Sequence, residues 1–345
     1  MSKCKYTSIG GQALIEGIMM KSPEKTALAV RVPDGSIDIT YMKDKRPDER
    51  PKILRLPVIR GVINFVSSMI QGYKAMMLSA EKSGFTDLEE EEKKPAAETA
   101  EETENKPEER GEKKESALVN VIMIVGAVLG VALAVVLFMW IPRLAVGGLE
   151  WLFKTDFSKI ARSFIEQFIK LSVFVLYVWL VSFMKDIRRV FMYHGAEHKT
   201  IFCYEAGLPL TVENVRKQRR FHPRCGTSFM ILMILISVII STVVQIIFPK
   251  VYDIGLVWVA VKILLVPLTC GVGYEVLKMC GRYDNIFTRI ISAPGLWLQR
   301  ITTKEPEDDM IEIAIAALNA CEPETPDVER CDVKEDPEDN EQNDI

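Results

Sequence analysis

The sequence predicts a mainly α-helical, polytopic membrane fold, with about four transmembrane helices, a small N-terminal α+β region and amphipathic helices beside them. Three observations lead there. Hydrophobic residues make up 48% of the 345-residue chain and are gathered into blocks long enough to cross hydrocarbon. Acidic charge is confined to two other stretches: residues 85–116 hold 13 Asp/Glu against 6 Lys/Arg, and residues 305–345 hold 16 against 2. The remaining chain is therefore net +17 although the whole is −4, and a basic, apolar body suits an anionic leaflet. The lipid bilayer is the expected partner, with other membrane proteins as candidates. Nucleic acid is not expected, because the basic residues flank apolar spans instead of forming an aromatic-interleaved surface. No oligomeric state is legible.

Residues 1–84 read as a small cytosolic region. The opening MSKCKYTSIGGQ lacks an apolar core, so no cleaved signal peptide is expected. GGQALIEGIMM (10–20) admits two readings. It is either a packed loop in which glycine is sterically required, or a segment whose Gln12 and Glu16 share a helical face, with Glu16 reaching a site as ligand or acid. TALAVRVPDGSIDITY (26–41) predicts a short β-hairpin around Pro33-Asp34-Gly35. Apolar residues at helical spacing over 56–80 predict an amphipathic helix that either lies in the interface or dips into the membrane. Residues 85–116 cannot bury enough apolar area to fold and read as a solvated linker.

The membrane domain spans residues 117–303. Ala117–Ile141 is 25 residues without a charge, which at about 1.5 Å per residue exceeds the roughly 30 Å hydrocarbon core. Phe164–Met184 is the second span, weaker at its start, where Glu166 and Lys170 are spaced to pair. Cys225–Phe248 is a third, with 24 uncharged residues; Ile254–Cys280 is a fourth, interrupted by Lys262, Pro267 and glycines. Lys262 and Glu275 are functional candidates because burying them in hydrocarbon is costly, and they are equally placed to snorkel to the interfaces. Nine Lys/Arg between Lys185 and Arg224 place that loop in the cytosol, and with it both termini of a multi-pass plasma-membrane protein. GRYDN (281–285) and residues 288–303 return along the cytosolic face, with Trp297 as an interface anchor. Arg282, Asp284 and Asn285 are either outer hydrogen-bond partners of a site or turn residues. Residues 304–321 predict an amphipathic helix with an acidic first turn, and 322–345 a solvated acidic tail.

The chemistry concentrates in YHGAEHKTI (193–201). Only three histidines occur in the chain, and His194 and His198 lie here in the pattern H-x-x-E-H; His222 follows in HPRCG. The apolar spacing from Lys185 predicts a helix ended by Gly207 and Pro209. On it, both imidazoles stand one turn apart and can reach one metal ion, with Glu197 beside them as general base. Zn²⁺ is the expected cofactor. A catalytic zinc site takes three protein ligands and keeps an open position. The third ligand is Glu275, His222 or Cys225, and the spacing does not choose. A thiol ligand would need a lowered pKa, which Arg219, Arg220, Arg224 or the metal could supply. The seven cysteines form no CxxC pair and are expected to be reduced.

GGQALIEGIMMKSP, YHGAEHKTI, HPRCGTSF, GRYDN and APGLWLQRITTKEP together resemble the YqhQ-like family of polytopic bacterial membrane proteins. The resemblance covers most of residues 6–320 outside the acidic linker. It implies a site drawn from His194, Glu197, His198, His222 and Cys225, and a metal-dependent enzyme without a named substrate. The function expected is a cytosol-facing hydrolase of a peptide, amide or lipid bond. The alternative is a non-catalytic membrane scaffold or regulator of membrane-protein assembly, with or without a structural metal. Four spans without an internal repeat argue against a transporter.

Overall fold

The computed structural model describes residues 9–42, 51, 54, 56–85, 125–126, 128–223, 225–253, 255–283 and 285–322. All but the first residue of the acidic linker and of the acidic tail lie outside these, as do Arg224, Asp284 and the start of the first predicted span.

Four strands, β1 (Gly10–Leu14), β2 (Gly17–Lys21), β3 (Thr26–Arg31) and β4 (Ile37–Met42), form an antiparallel meander in chain order. The hairpin predicted around Pro33-Asp34-Gly35 is β3–β4. Its turn closes with Gly35 at φ 85° and Asp34 Oδ1 accepting from the Ser36 N–H. The first two strands correct the loop-or-helix expectation for GGQALIEGIMM. A two-residue turn at Ile15-Glu16 pairs Leu14 with Gly17, and Glu16 takes the left-handed region at φ 49°. A non-glycine there is costly, and its side chain is held by Arg189 (Nη2–Oε2 2.7 Å) and the Tyr193 hydroxyl (3.0 Å).

The sheet is buried on both faces, so its central strands read as apolar runs and not as an alternating pattern. Alternation still sorts the side chains. Ile18, Met20, Ala27 and Ala29 face one core with Met310, Ile311, Ala314 and Leu318; Met19, Leu28 and Val30 face another with Ala75. The first partner is the helix Asp308–Cys321, the second the helix Ile59–Lys82, here α1. The predicted amphipathic segments thus clasp the sheet between them.

Among the described residues, four further helices are long and apolar enough to cross a membrane, and they fit a membrane protein. α2 runs over Val128–Phe153 with a π-helical stretch at Val136–Trp140, twelve residues past the expected end at Ile141. α3 is Lys159–Val181, opened by Ser158, whose Oγ accepts from the Ala161 N–H, five residues before the expected start at Phe164. α4 is Lys185–Glu205 and α5 the short Val212–Arg216. α6 is Gly226–Ile247, α7 Pro249–Asp253 and α8 Gly255–Arg282. Contrary to the expected interruption, α8 continues through Pro267, which neighbouring helices in a bundle can accommodate. Lys262 meets Glu166 of α3 at 3.2 Å, so the pair expected within α3 gives way to one between helices.

α9 (Ile286–Thr302) begins with a capping box in which Asn285 Oδ1 accepts from the Thr288 N–H and Thr288 Oγ1 from the Asn285 N–H. Asn285 is thus a cap and not a site partner. α10 is the Asp308–Cys321 helix already met. α1 docks on α8 at Gly61 and Gly271, where a Cβ on either glycine would collide with the facing chain. The five cysteines among the described residues for which pairing is defined, 203, 225, 270, 280 and 321, are all free thiols.

Candidate metal centre

α4 carries H-x-x-E-H where the predicted periodicity put it, and Gly207 at φ 66° ends the helix as expected. Every residue from Tyr193 to Ile201 is buried, since the sheet and α10 cover one side and α9 with the 220–225 loop the other. The His194 and His198 rings stand 4.4 Å apart, centre to centre.

Each imidazole is oriented by a backbone carbonyl. His194 Nδ1 lies 2.8 Å from Thr302 O, and His198 Nδ1 bonds Arg220 O. A carbonyl only accepts, so both rings carry a proton on Nδ1 and turn Nε2 toward the centre. There His194 Nε2 meets Cys225 Sγ at 3.0 Å. The side-chain ligand atoms of His194, His198 and Cys225 lie within 4.8 Å of one another, and the group could hold a metal ion. The fit is supported by a buried orphan: among the described residues His198 Nε2 has no hydrogen-bond partner. A buried nitrogen without a partner is costly, and a metal ion would satisfy it. Imidazoles anchored through the other nitrogen are the usual form of such ligands.

The charges agree with this chemistry. Burial alone pushes the Cys225 thiol up, but the His194 and His198 imidazoles overturn that and hold it well below its ordinary value. Burial likewise pushes His194 down, but the Cys225 thiolate, with Glu197 and the Thr302 carbonyl, raises it to about 9. Glu197, 5% exposed, is pushed up by burial against the pull of His198 and His194, while the Gly11 N–H bonds its carboxylate. A Cβ at Gly11 would stand 2.8 Å from Glu197 Cδ, so β1 can approach this carboxylate only as glycine.

The remaining candidates are placed elsewhere. His222 is buried next to the group, its ring 5.5 Å from that of His198 and 4.7 Å from Phe202, and its Nε2 is 3.9 Å from Glu205. Glu275 does not join the three ligand atoms; Arg60 engages its carboxylate from two nitrogens, with Nε–Oε1 at 2.6 Å. Glu16 is tied to Arg189 and Tyr193 rather than to the site. Sequence reasoning named Arg220 only as a charge near the thiol and Gly11 only within a segment that could require glycine; it missed their backbone roles here, as it missed Gln299 and the Thr302 carbonyl. Gln299 had a side-chain signal: a carboxamide beside Leu298 in a helix with an apolar inner face.

A family model described as "Protein of unknown function (DUF1385)" matches residues 56–324. The uncharacterized protein YqhQ of Bacillus subtilis (strain 168) is 34% identical over 328 residues, covering 92% of this chain and 94% of that protein. No solved structure matches.

Proposed function

From the premise that the chain belongs to the DUF1385 family of YqhQ-like proteins, we propose that it is a membrane-embedded, metal-dependent hydrolase with its centre facing the cytosol. The observation that carries this reading is the convergence of two imidazoles and a thiolate, with the buried His198 Nε2 lacking a hydrogen-bond partner among the described residues. Two nitrogens and one sulfur are a donor set suited to Zn²⁺, and three protein ligands leave a fourth position open. A bound Zn²⁺ would supply Lewis acidity toward water and a substrate carbonyl. Glu197, buried beside the ligands and held by the Gly11 N–H, is the group to take the proton. The scissile bond is a peptide, amide or lipid ester presented at the bilayer surface. The nine basic residues between Lys185 and Arg224 favour a cytosolic location for that face, both termini and a plasma-membrane setting.

Glu197→Gln tests the reading. The variant keeps size and ligands, so it should retain metal and abundance yet fail to complement a deletion strain. Full complementation by Glu197→Gln excludes hydrolysis through this carboxylate. One observation favours a second reading, a non-catalytic scaffold with a structural metal: His194, His198 and Cys225 are 8%, 1% and 8% exposed. On that reading His198→Ala lowers abundance while Glu197→Gln is harmless.

Metal binding should also depend on pH in a defined direction. Below about 9 His194 is protonated against the Cys225 thiolate, and ligation must release that proton. Apparent affinity should rise roughly tenfold per pH unit toward that value and then level off. Titration calorimetry in buffers of different ionisation enthalpy reads the released proton directly.

A further inference from the structure

We propose that Gln299 is the positioning residue of the metal centre, and that one face of α9 sets the geometry of all three candidate ligands. The inference rests on the metal reading above. Gln299 is completely buried, and its carboxamide pairs with the peptide of His222 in both directions: Oε1 accepts from the His222 N–H at 2.7 Å and Nε2 donates to His222 O at 2.7 Å. The same His222 carbonyl accepts from the Cys225 N–H at 3.3 Å, closing the turn that delivers the thiol. Two residues before His222, the Arg220 carbonyl orients His198. One turn after Gln299 on the same helix, the Thr302 carbonyl orients His194. Thr303 Oγ1, donating to Gln299 O at 2.7 Å, secures the end of α9 that carries both groups.

Only a side-chain amide mimics a peptide edge, offering one donor and one acceptor in a plane. An apolar isostere removes the acceptor from the His222 N–H and the closer of two donors from its carbonyl, and a carboxylate sets an anion against that carbonyl. Partners in this outer position commonly change metal affinity by about 10–100-fold.

The test uses the full-length protein in detergent with Co²⁺ as the probe. Wild type should bind about one Co²⁺ and show thiolate-to-metal absorption, as expected for a three-ligand site with Cys225. Gln299→Met should weaken Co²⁺ by about 10–100-fold and alter the visible bands, since the thiol and one imidazole lose their fixed bearing. Leu298→Ala is the packing control: Leu298 sits against Phe174 and Ile231, so it should lower thermal stability while leaving the spectrum unchanged. Should Gln299→Met fail to accumulate, Gln299→Glu, of the same size, takes its place. Wild-type affinity and spectrum in a folded Gln299 variant would overturn the inference alone. No Co²⁺ binding by wild type would overturn the metal reading beneath it.

Discussion

A chain carrying His198→Ala should lose stoichiometric metal. His198 supplies the nitrogen that is buried with no hydrogen-bond partner among the described residues. Without it, only His194 and Cys225 remain, and these already satisfy each other at 3.0 Å. Two ligands that close into a hydrogen bond with each other hold a divalent ion far more weakly than three do. Elemental analysis of detergent-purified protein should fall from about one metal ion per chain to near zero. The loss should be mirrored in stability. A ligand that binds only the folded state stabilises it by about 2.7 kcal/mol at a hundredfold excess over Kd. Added metal should therefore raise the thermal midpoint of wild type and leave that of the variant unmoved. Wild-type protein purified without chelators and still free of metal would end both readings of the centre.

Gly195→Ala should disable the centre without touching a ligand. The segment after α9 crosses α4 at this glycine, where the Lys304 N–H donates to Phe191 O at 2.9 Å. A Cβ at residue 195 would overlap the Lys304 carbonyl, while the Pro306 ring stands in ordinary contact at 3.5 Å. Backbone cannot swing aside as a side-chain tip can, so α9 and the following strand of chain must lift from α4. Overpacking of this kind costs about 1–3 kcal/mol and more where backbone moves. The lift also withdraws the Thr302 carbonyl from His194 Nδ1. Two effects should appear together: a lower thermal midpoint, and metal affinity reduced by more than tenfold. A variant with wild-type stability and metal content would show that the crossing adjusts freely.

Much of the candidate site was legible because it is local. His194, Glu197 and His198 lie within one and a half turns, so the 3.6-residue period alone joined them, and Gly207 and Pro209 marked the end of their helix. The strand pair around Pro33-Asp34-Gly35 was legible for the same reason. Its neighbour β1–β2 was not, because its turn carries Ile15-Glu16 instead of a turn dipeptide. What allows glutamate there is the ion pair with Arg189, 173 residues away.

The sequence by itself determined the four apolar helices, the partition of charge, and the helix bearing two imidazoles and a carboxylate, since hydrocarbon length and helical pitch need only neighbours along the chain. Only the tertiary structure decided that Cys225, and not Glu275, stands with His194 and His198, that Arg60 holds Glu275, and that Gly11 and Gln299 pack around that group. Those outcomes depend on contacts 31 and 77 residues apart for Cys225 and Gln299 and on 215 for Arg60. Several chemically equal partners were available at such separations, and packing of backbone on backbone chose among them.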